Sequence, residues 1–368
     1  MNAYYVLVII IVFFVLIPMC FYISRKVYKL NFVRNLKSKK KSFLISSVPF
    51  IFFVLLLFWN YVNAYVIILH FFFVIWFGYI VYYFVRKITK KEYKYGNEII
   101  LSLSFVILTF YLGYAYYNAH NVVKTYYTVY TDKDIPVDNF RIVQITDSHI
   151  GATMNGDKFY KYMEEINKTN PDIVVVTGDF VDDDTSFKDM VRSCEGLGIL
   201  KTKYGVYYVY GNHDKGYFDY RGYTNKELRE NLLKNNVVIL EDEGVDILDN
   251  IYLLGRQDRV ERNRKKAKEL TDDVDKSKYI ITLDHEPNDY KNEKEAKMDL
   301  VISGHTHGGQ LIPIKYFDML FGANDFIYGM KKDDDTTFIV SSGIGDWAVK
   351  FKTGCKAEYV VIDIKNKD

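Results

Sequence analysis

Residues 172–182 read DIVVVTGDFVD. Ile173 to Val176 form an unbroken apolar, β-branched run, the pattern of a strand buried on both faces of a parallel sheet. Gly178, Asp179 and Asp182 follow at once in a polar loop, and open α/β sheets carry their ligands at strand carboxyl ends. The arrangement recurs along the chain. The strand RIVQI (141–145) leads to Asp147-Ser148-His149, and 206–210 leads to Gly211-Asn212-His213-Asp214. Strand 279–283 leads to Asp284-His285-Glu286-Pro287, and 299–302 to Gly304-His305-Thr306-His307-Gly308-Gly309-Gln310. Further strands are expected at 126–130, 237–240, 251–254, 337–341 and 358–364. Helices are expected at 156–168, stopped by Asn170-Pro171, at 225–234, and as a solvated stretch over the charge-dense 259–277. Residues 121–368 therefore read as one α/β domain.

All five histidines of that domain, His149, His213, His285, His305 and His307, fall in these strand-end loops among Asp and Asn. Imidazole with carboxylate suits Zn, Fe or Mn. Asp147-x-His149 and His305-x-His307 each place two donors on one side of an extended backbone. Two divalent ions about 3.5–4 Å apart can hold both the attacking and the leaving oxygen of a phosphoryl displacement, with a central carboxylate between them. Gly178, Gly211 and Gly304 permit the tight turns such loops need. Asp284 and Glu286 are expected to face solvent or cap a helix, and Asp258 to be a turn residue. The three cysteines, Cys20, Cys194 and Cys355, form no C-x-x-C pattern, which excludes zinc-finger chemistry.

The ordered set Asp147-x-His149, Gly178-Asp179-x-x-Asp182, Gly211-Asn212-His213-Asp214, His285 and Gly304-His305-x-His307 resembles the calcineurin-like metallophosphoesterases. The segments FRIVQITDSHIG, VYGNHDKGY, GHTHGGQ and SSGIGDWAVKFKTG resemble the bacterial membrane-associated phosphodiesterase branch of that family. The resemblance covers about 125–366 and implies a four-layer α/β/β/α sandwich. It implies that Asp147, His149 and His307 hold one metal, that Asn212, His285 and His305 hold the other, and that Asp179 bridges. By the same resemblance a metal-bridging hydroxide attacks the ester. His213 would serve the leaving oxygen with Asp214 orienting its ring, and Asp182 would support the ligands. The cofactor is two divalent ions, Mn, Fe or Zn. The sequence departs at Lys356-Ala357-Glu358, where relatives tend to carry prolines, away from the ligand positions.

The front third is a different object. Residues 1–120 hold 13 Lys/Arg against two acids, whereas 121–368 hold 35 basic against 44 acidic residues. An acidic domain of this kind argues against nucleic acid as a partner. Residues 1–24, 42–85 and 99–119 contain no charged side chain. A bilayer crossing needs about 20 apolar residues, so four transmembrane helices are expected, 4–24, 43–61, 65–85 and 99–119, preceding the domain at 121–368. The two basic loops, 25–41 and 86–97, are expected on the cytoplasmic side. That places a multi-pass protein in the cell membrane with its catalytic domain outside the cytoplasm. His70, inside the third span, reads as a packing residue.

The expected activity is a phosphodiesterase or phosphatase acting on a phosphate ester. The apolar run 311–333, with Ile312, Phe317, Leu320, Phe321 and Phe326, is either a folded flap or a wall for a lipid-linked ester. Two alternatives stand beside it. One is a pyrophosphatase of a nucleotide-activated or lipid-linked sugar, similar to UDP-diacylglucosamine hydrolases. The other is a non-catalytic membrane sensor or scaffold, which the intact ligand set disfavours.

Overall fold

The computed structural model describes residues 12–217, 221–312 and 322–367. The chain divides into two compact units, Met1–Ala115 and Tyr116–Asp368.

In the first unit and at the boundary between the two, three helices among the described residues are long and apolar enough to cross a membrane: Lys39–Phe58, Tyr61–Thr89 and Gly96–His120. The expected hairpin within 42–85 turns at Asn60, whose backbone is extended and whose side chain accepts from the Asn63 amide, capping the second helix. The two hairpin helices run past the apolar segment into the basic residues at its two ends, Lys39 to Lys41 and Arg86 with Lys87, because straight-chain lysines and arginines continue a helix readily. Residues 4–11 of the expected first span lie outside the described residues. The rest of that span is a π-helical turn at Val12–Leu16 leading into a helix at Ile17–Tyr28, whose Leu16, Cys20 and Ile23 are buried with Phe53, Ile68 and Ile75. His70 donates from Nδ1 to the Val66 carbonyl (2.7 Å) and lies beside the Tyr111 ring, as a packing residue does.

The second unit is built on two mixed six-stranded sheets. The first contains β1 (Val123–Thr131), β2 (Phe140–Ile145), β3 (Ile173–Thr177), β4 (Val206–Val209), β5 (Val237–Ile239) and, last in the chain, β12 (Glu358–Asn366). Its order is β1-β12-β2-β3-β4-β5. The second contains β6 (Glu243–Leu248), β7 (Ile251–Gly255), β8 (Tyr279–Leu283), β9 (Leu300–Ser303), β10 (Gly329–Asp333) and β11 (Thr336–Val340). Its order is β10-β11-β9-β8-β7-β6. Strands β2 to β5 are parallel neighbours, as are β7, β8, β9 and β11.

Alternation decides the layers. Ile142, Ile173, Val175 and Val209 point inward and meet Leu253, Ile281, Ile302 and Ile339 of the other sheet in a shared core. The opposite faces of the same strands, Val143, Val174 and Val176, pack under helices Gly156–Asn167, Phe187–Gly198 and Asn225–Lys234 through Phe159, Met163, Met190, Leu228 and Leu232. Ile280 and Val301 are covered by Ala267, Leu270 and Tyr290. The result is the expected four-layer α/β/β/α sandwich, and it carries β3, β2, β4, β8 and β9 to one rim.

Three features differ from expectation. The charge-dense stretch 259–277 is mostly turns with a single short helix, Ala267–Thr271, whose Ala267, Leu270 and Thr271 are buried. The edge strands β6 and β10 and the helix Phe187–Gly198 were not anticipated. The two edges carry charges and are half exposed, so they lack the apolar signature of an inner strand.

Candidate active site

The loops after β2, β3, β4, β8 and β9 meet at the rim. Five of their residues have left-handed backbone although none is glycine: Asp147 (φ 51°), His149 (37°), Asp179 (51°), His305 (67°) and His307 (49°). Such residues cost energy and persist where packing over-determines them, most often at functional sites. Gly178 (φ 85°) is one place where no side chain fits, because a Cβ would lie 2.6 Å from the Gly211 amide nitrogen and 2.7 Å from Nδ1 of His285.

The donors form adjoining groups. One atom each from Asp147, His149 and His307 lies within 4.8 Å of the others, and the same holds for Asp179, His285 and His305. Asp179 stands between: its Oδ2 is 3.5 Å from Nε2 of His149 and 3.2 Å from Nε2 of His285. Its Oδ1 is fixed by the His213 amide at 2.9 Å. Asn212 Oδ1 is 3.1 Å from Nε2 of His285 and 3.0 Å from Nδ1 of His305, and those two nitrogens are 3.3 Å apart. His307 Nε2 is 3.7 Å from Asp147 Oδ1. All seven expected ligand side chains are thus brought together.

A third group joins His149, Asp182 and His213. The Asp182 carboxylate takes Nδ1 of His149 on one oxygen and Nδ1 of His213 on the other, each at 3.0 Å. This corrects the expectation for Asp214. That carboxylate is buried and accepts from four backbone amides, those of Asp179, Phe180, Val181 and Gly211, at 2.7–3.1 Å. It ties the β3 and β4 loops together and has no lone pair to spare for the His213 ring, which Asp182 orients instead. Asp284 does not face solvent. It is buried and paired with Arg256 (2.9 Å) and with Arg264, while Arg256 also reaches Glu293 and Asp289. Asp258 accepts from the Val260 amide at 3.0 Å in a turn, as expected, yet is buried.

Electrostatics matches a cation site. Burial pushes the Asp179 carboxyl up, but the imidazoles of His285, His149 and His213 outweigh it and hold it well below the usual carboxylate range. Burial pulls His307 well below the ordinary imidazole value. Burial, reinforced by His285, brings His305 to about 4. Neutral rings such as these two are the ligating form, whereas His285, despite its burial, is raised well above the ordinary imidazole value by the Asp179 carboxylate. Nε2 of His149 is buried with no hydrogen-bond partner, an acceptor left for something other than a proton donor of the protein. The residues present therefore fit a pair of divalent cations. His213 differs: burial lowers its pKa, but the Asp182 hydrogen bond and the charges of Asp179 and Asp182 raise it to about 9.

Residues 140–309 match the calcineurin-like phosphoesterase family. An uncharacterized metallophosphoesterase of Campylobacter jejuni is 31% identical over 285 residues, 75% of this chain and 73% of that protein. The chain belongs to the calcineurin-like metallophosphoesterases. Another uncharacterized metallophosphoesterase, from Aquifex aeolicus, is 30% identical over 264 residues, 68% of this chain and 96% of that one. The transmembrane protein with metallophosphoesterase domain of Danio rerio is 29% identical over 254 residues, 64% of this chain and 56% of the relative. The metallophosphoesterase is a metal-dependent phosphoester hydrolase whose family implies a dinuclear divalent site, and among the described residues three long apolar helices precede the matched segment.

Sequence reasoning missed three contributors to this site. Tyr217 closes VYGNHDKGY, where no role was read for it, yet its hydroxyl accepts from Nδ2 of Asn212 at 2.6 Å and its ring stands edge-on to His213 at 5.0 Å. Asp346 and Lys352 lie in SSGIGDWAVKFKTG, a segment read only for its resemblance. Both are fully buried beside His307.

Proposed function

We propose that the protein is a membrane-anchored phosphodiesterase whose catalytic unit lies outside the cytoplasm. In this reading Asp147, His149 and His307 would hold one cation, Asn212, His285 and His305 would hold the second, and Asp179, which stands between the two groups, would serve both. The observation that carries it is the buried Asp179 carboxylate, flanked on one oxygen by an imidazole from each group at 3.2 and 3.5 Å. Two divalent ions bound there would supply Lewis acidity and activate water near neutral pH.

The chain's own residues do the rest. His213, held at Nδ1 by Asp182, presents Nε2 and donates its proton to the leaving oxygen as that bond breaks. Asp182 keeps the ring oriented, and its second oxygen does the same for His149. Asp147 accepts the His305 amide at 2.9 Å, so the β2 and β9 loops are locked before substrate arrives.

The anchor is supported by the three apolar helices, and the orientation by basic loops 25–41 and 86–97. A lipid-linked ester is supported only by the apolar composition of 311–333. Of that run, Leu311 and Ile327 are buried, and 313–321 lie outside the described residues.

The test is the detergent-solubilised full chain with Mn²⁺ on bis-p-nitrophenyl phosphate beside the monoester. The diester should turn over faster, and Asp179→Asn should remove turnover on both. Monoester hydrolysis alone, or an active Asp179→Asn protein, would overturn the reading.

A further inference from the structure

The segment from Ser341 to Cys355 follows β11 and wraps the rim. Ile344 donates its amide to the Thr146 carbonyl (2.9 Å) and Gly345 to the Asp147 carbonyl (3.1 Å). Gly343 (φ 82°) lies so close that a Cβ there would meet Cβ of Asp147 at 2.7 Å. The other side of the segment encloses the second histidine of the β9 loop. Cys355 donates to the His307 carbonyl at 3.1 Å, and the amides of Thr353 and Gly354 reach the Gln310 carbonyl at 2.8 and 3.2 Å.

At its centre Asp346, wholly buried, puts Oδ1 3.3 Å from Nδ1 of His307 and 3.2 Å from Nζ of Lys352. Gln310 donates Nε2 to the same oxygen at 3.2 Å. Lys352 is also wholly buried and reaches the Ser342 carbonyl. Nδ1 of His307 and Oδ2 of Asp346 have no hydrogen-bond partner, although ring and carboxylate stand side by side. Buried polar atoms left without a partner are costly, and the Asp346 carboxylate is within 3.3 Å of the unpartnered Nδ1. A ligating histidine ordinarily gives its far ring N–H to a carboxylate, which fixes the tautomer and the ring plane.

We propose that Asp346 is a positioning residue of the metal centre: it takes the Nδ1–H of His307, so that Nε2 faces the cation unprotonated, and Lys352 is its buried counter-charge. The inference rests on the two-cation reading above. It makes the last loop of the domain part of the site. Lys352 cannot be neutralised by solvent, and Asp346 is the carboxylate within its reach, so the pair enters the core as a unit.

A purely structural ion pair would look similar, and the test separates the two. The full chain in detergent is titrated with Co²⁺, with bound metal counted and the visible absorption band recorded. In Asp346→Ala one of the two ions should bind about 10–100-fold more weakly, with a changed band. Asp346→Leu with Lys352→Met removes the pair as a unit and leaves no unpaired buried charge, so the fold survives. Its affinity for that ion should still fall by the same factor. Wild-type affinity and spectrum in the double variant would overturn the assignment. A wild-type chain that binds no Co²⁺ would instead overturn the two-cation reading and this inference with it.

Discussion

Around His213 the division of labour between two aspartates is the sharpest result at the scale of single residues. Asp182 holds the ring by Nδ1, whereas Asp214 gathers four amides. They should therefore fail differently. His213→Ala should retain its metals and lose about 10²–10⁴-fold in kcat, because only proton transfer to the leaving group is removed. Asp182→Asn should lower both kcat and metal affinity, since the same carboxylate also holds His149; a variant with full metal content and normal kcat would contradict the assignment. Asp214→Asn should act through stability, read as a lower Tm, because the amide cannot accept from four donors at once. The side chains that gather at the rim were legible in the sequence because metal chemistry favours a few residue types in strand-end loops. Which acid touches which ring was not, since Asp214 is next to His213 in the chain and Asp182 only in space. Asp346 was illegible for the same reason: 39 positions separate it from His307.

Strand β12 shows what could be read at the level of elements. Its apolar run from Tyr359 to Ile362 marked it as a strand, but nothing local said that it inserts between β1, its parallel neighbour, and β2, its antiparallel one. The insertion is fastened by Arg141 of β2, whose guanidinium grips Asp363 of β12 through two bonds of 2.7 and 2.9 Å. That hydrogen-bonded pairing holds the Asp363 carboxyl below its ordinary value. A depressed folded-state pKa means the stabilisation is complete above the unfolded value of about 3.9 and fades as pH falls through the folded one. Thermal melts should show Asp363→Asn less stable than wild type at neutral pH, with the gap closing below about pH 4. A gap that stays constant into acid would show that Asp363 contributes nothing as an anion. The inner strands were readable because burial on both faces leaves a run of Val and Ile. Edge strands β6 and β10 were not, because one side of each faces solvent.

For the whole molecule, the separation into an apolar basic front and an acidic α/β body came directly from where charges stop and start. The three helices Lys39–Phe58, Tyr61–Thr89 and Gly96–His120 fall on two of the three uncharged runs, the first two forming the hairpin within 42–85. With the uncharged first run as a fourth crossing, a cysteine placed in loop 25–41 or 86–97 should be shielded from a membrane-impermeant maleimide on intact cells. One placed on the exposed face of the catalytic unit should be labelled. Labelling in the opposite sense would reverse the proposed topology.

The proposed mechanism has side chains from five loops holding two cations on either side of Asp179. Anomalous diffraction from crystals of the protein soaked in Mn²⁺ tests this most directly. Two peaks about 3.5–4 Å apart are expected, one among Asp147, His149 and His307 and the other among Asn212, His285 and His305. A single peak, or peaks away from Asp179, would contradict it.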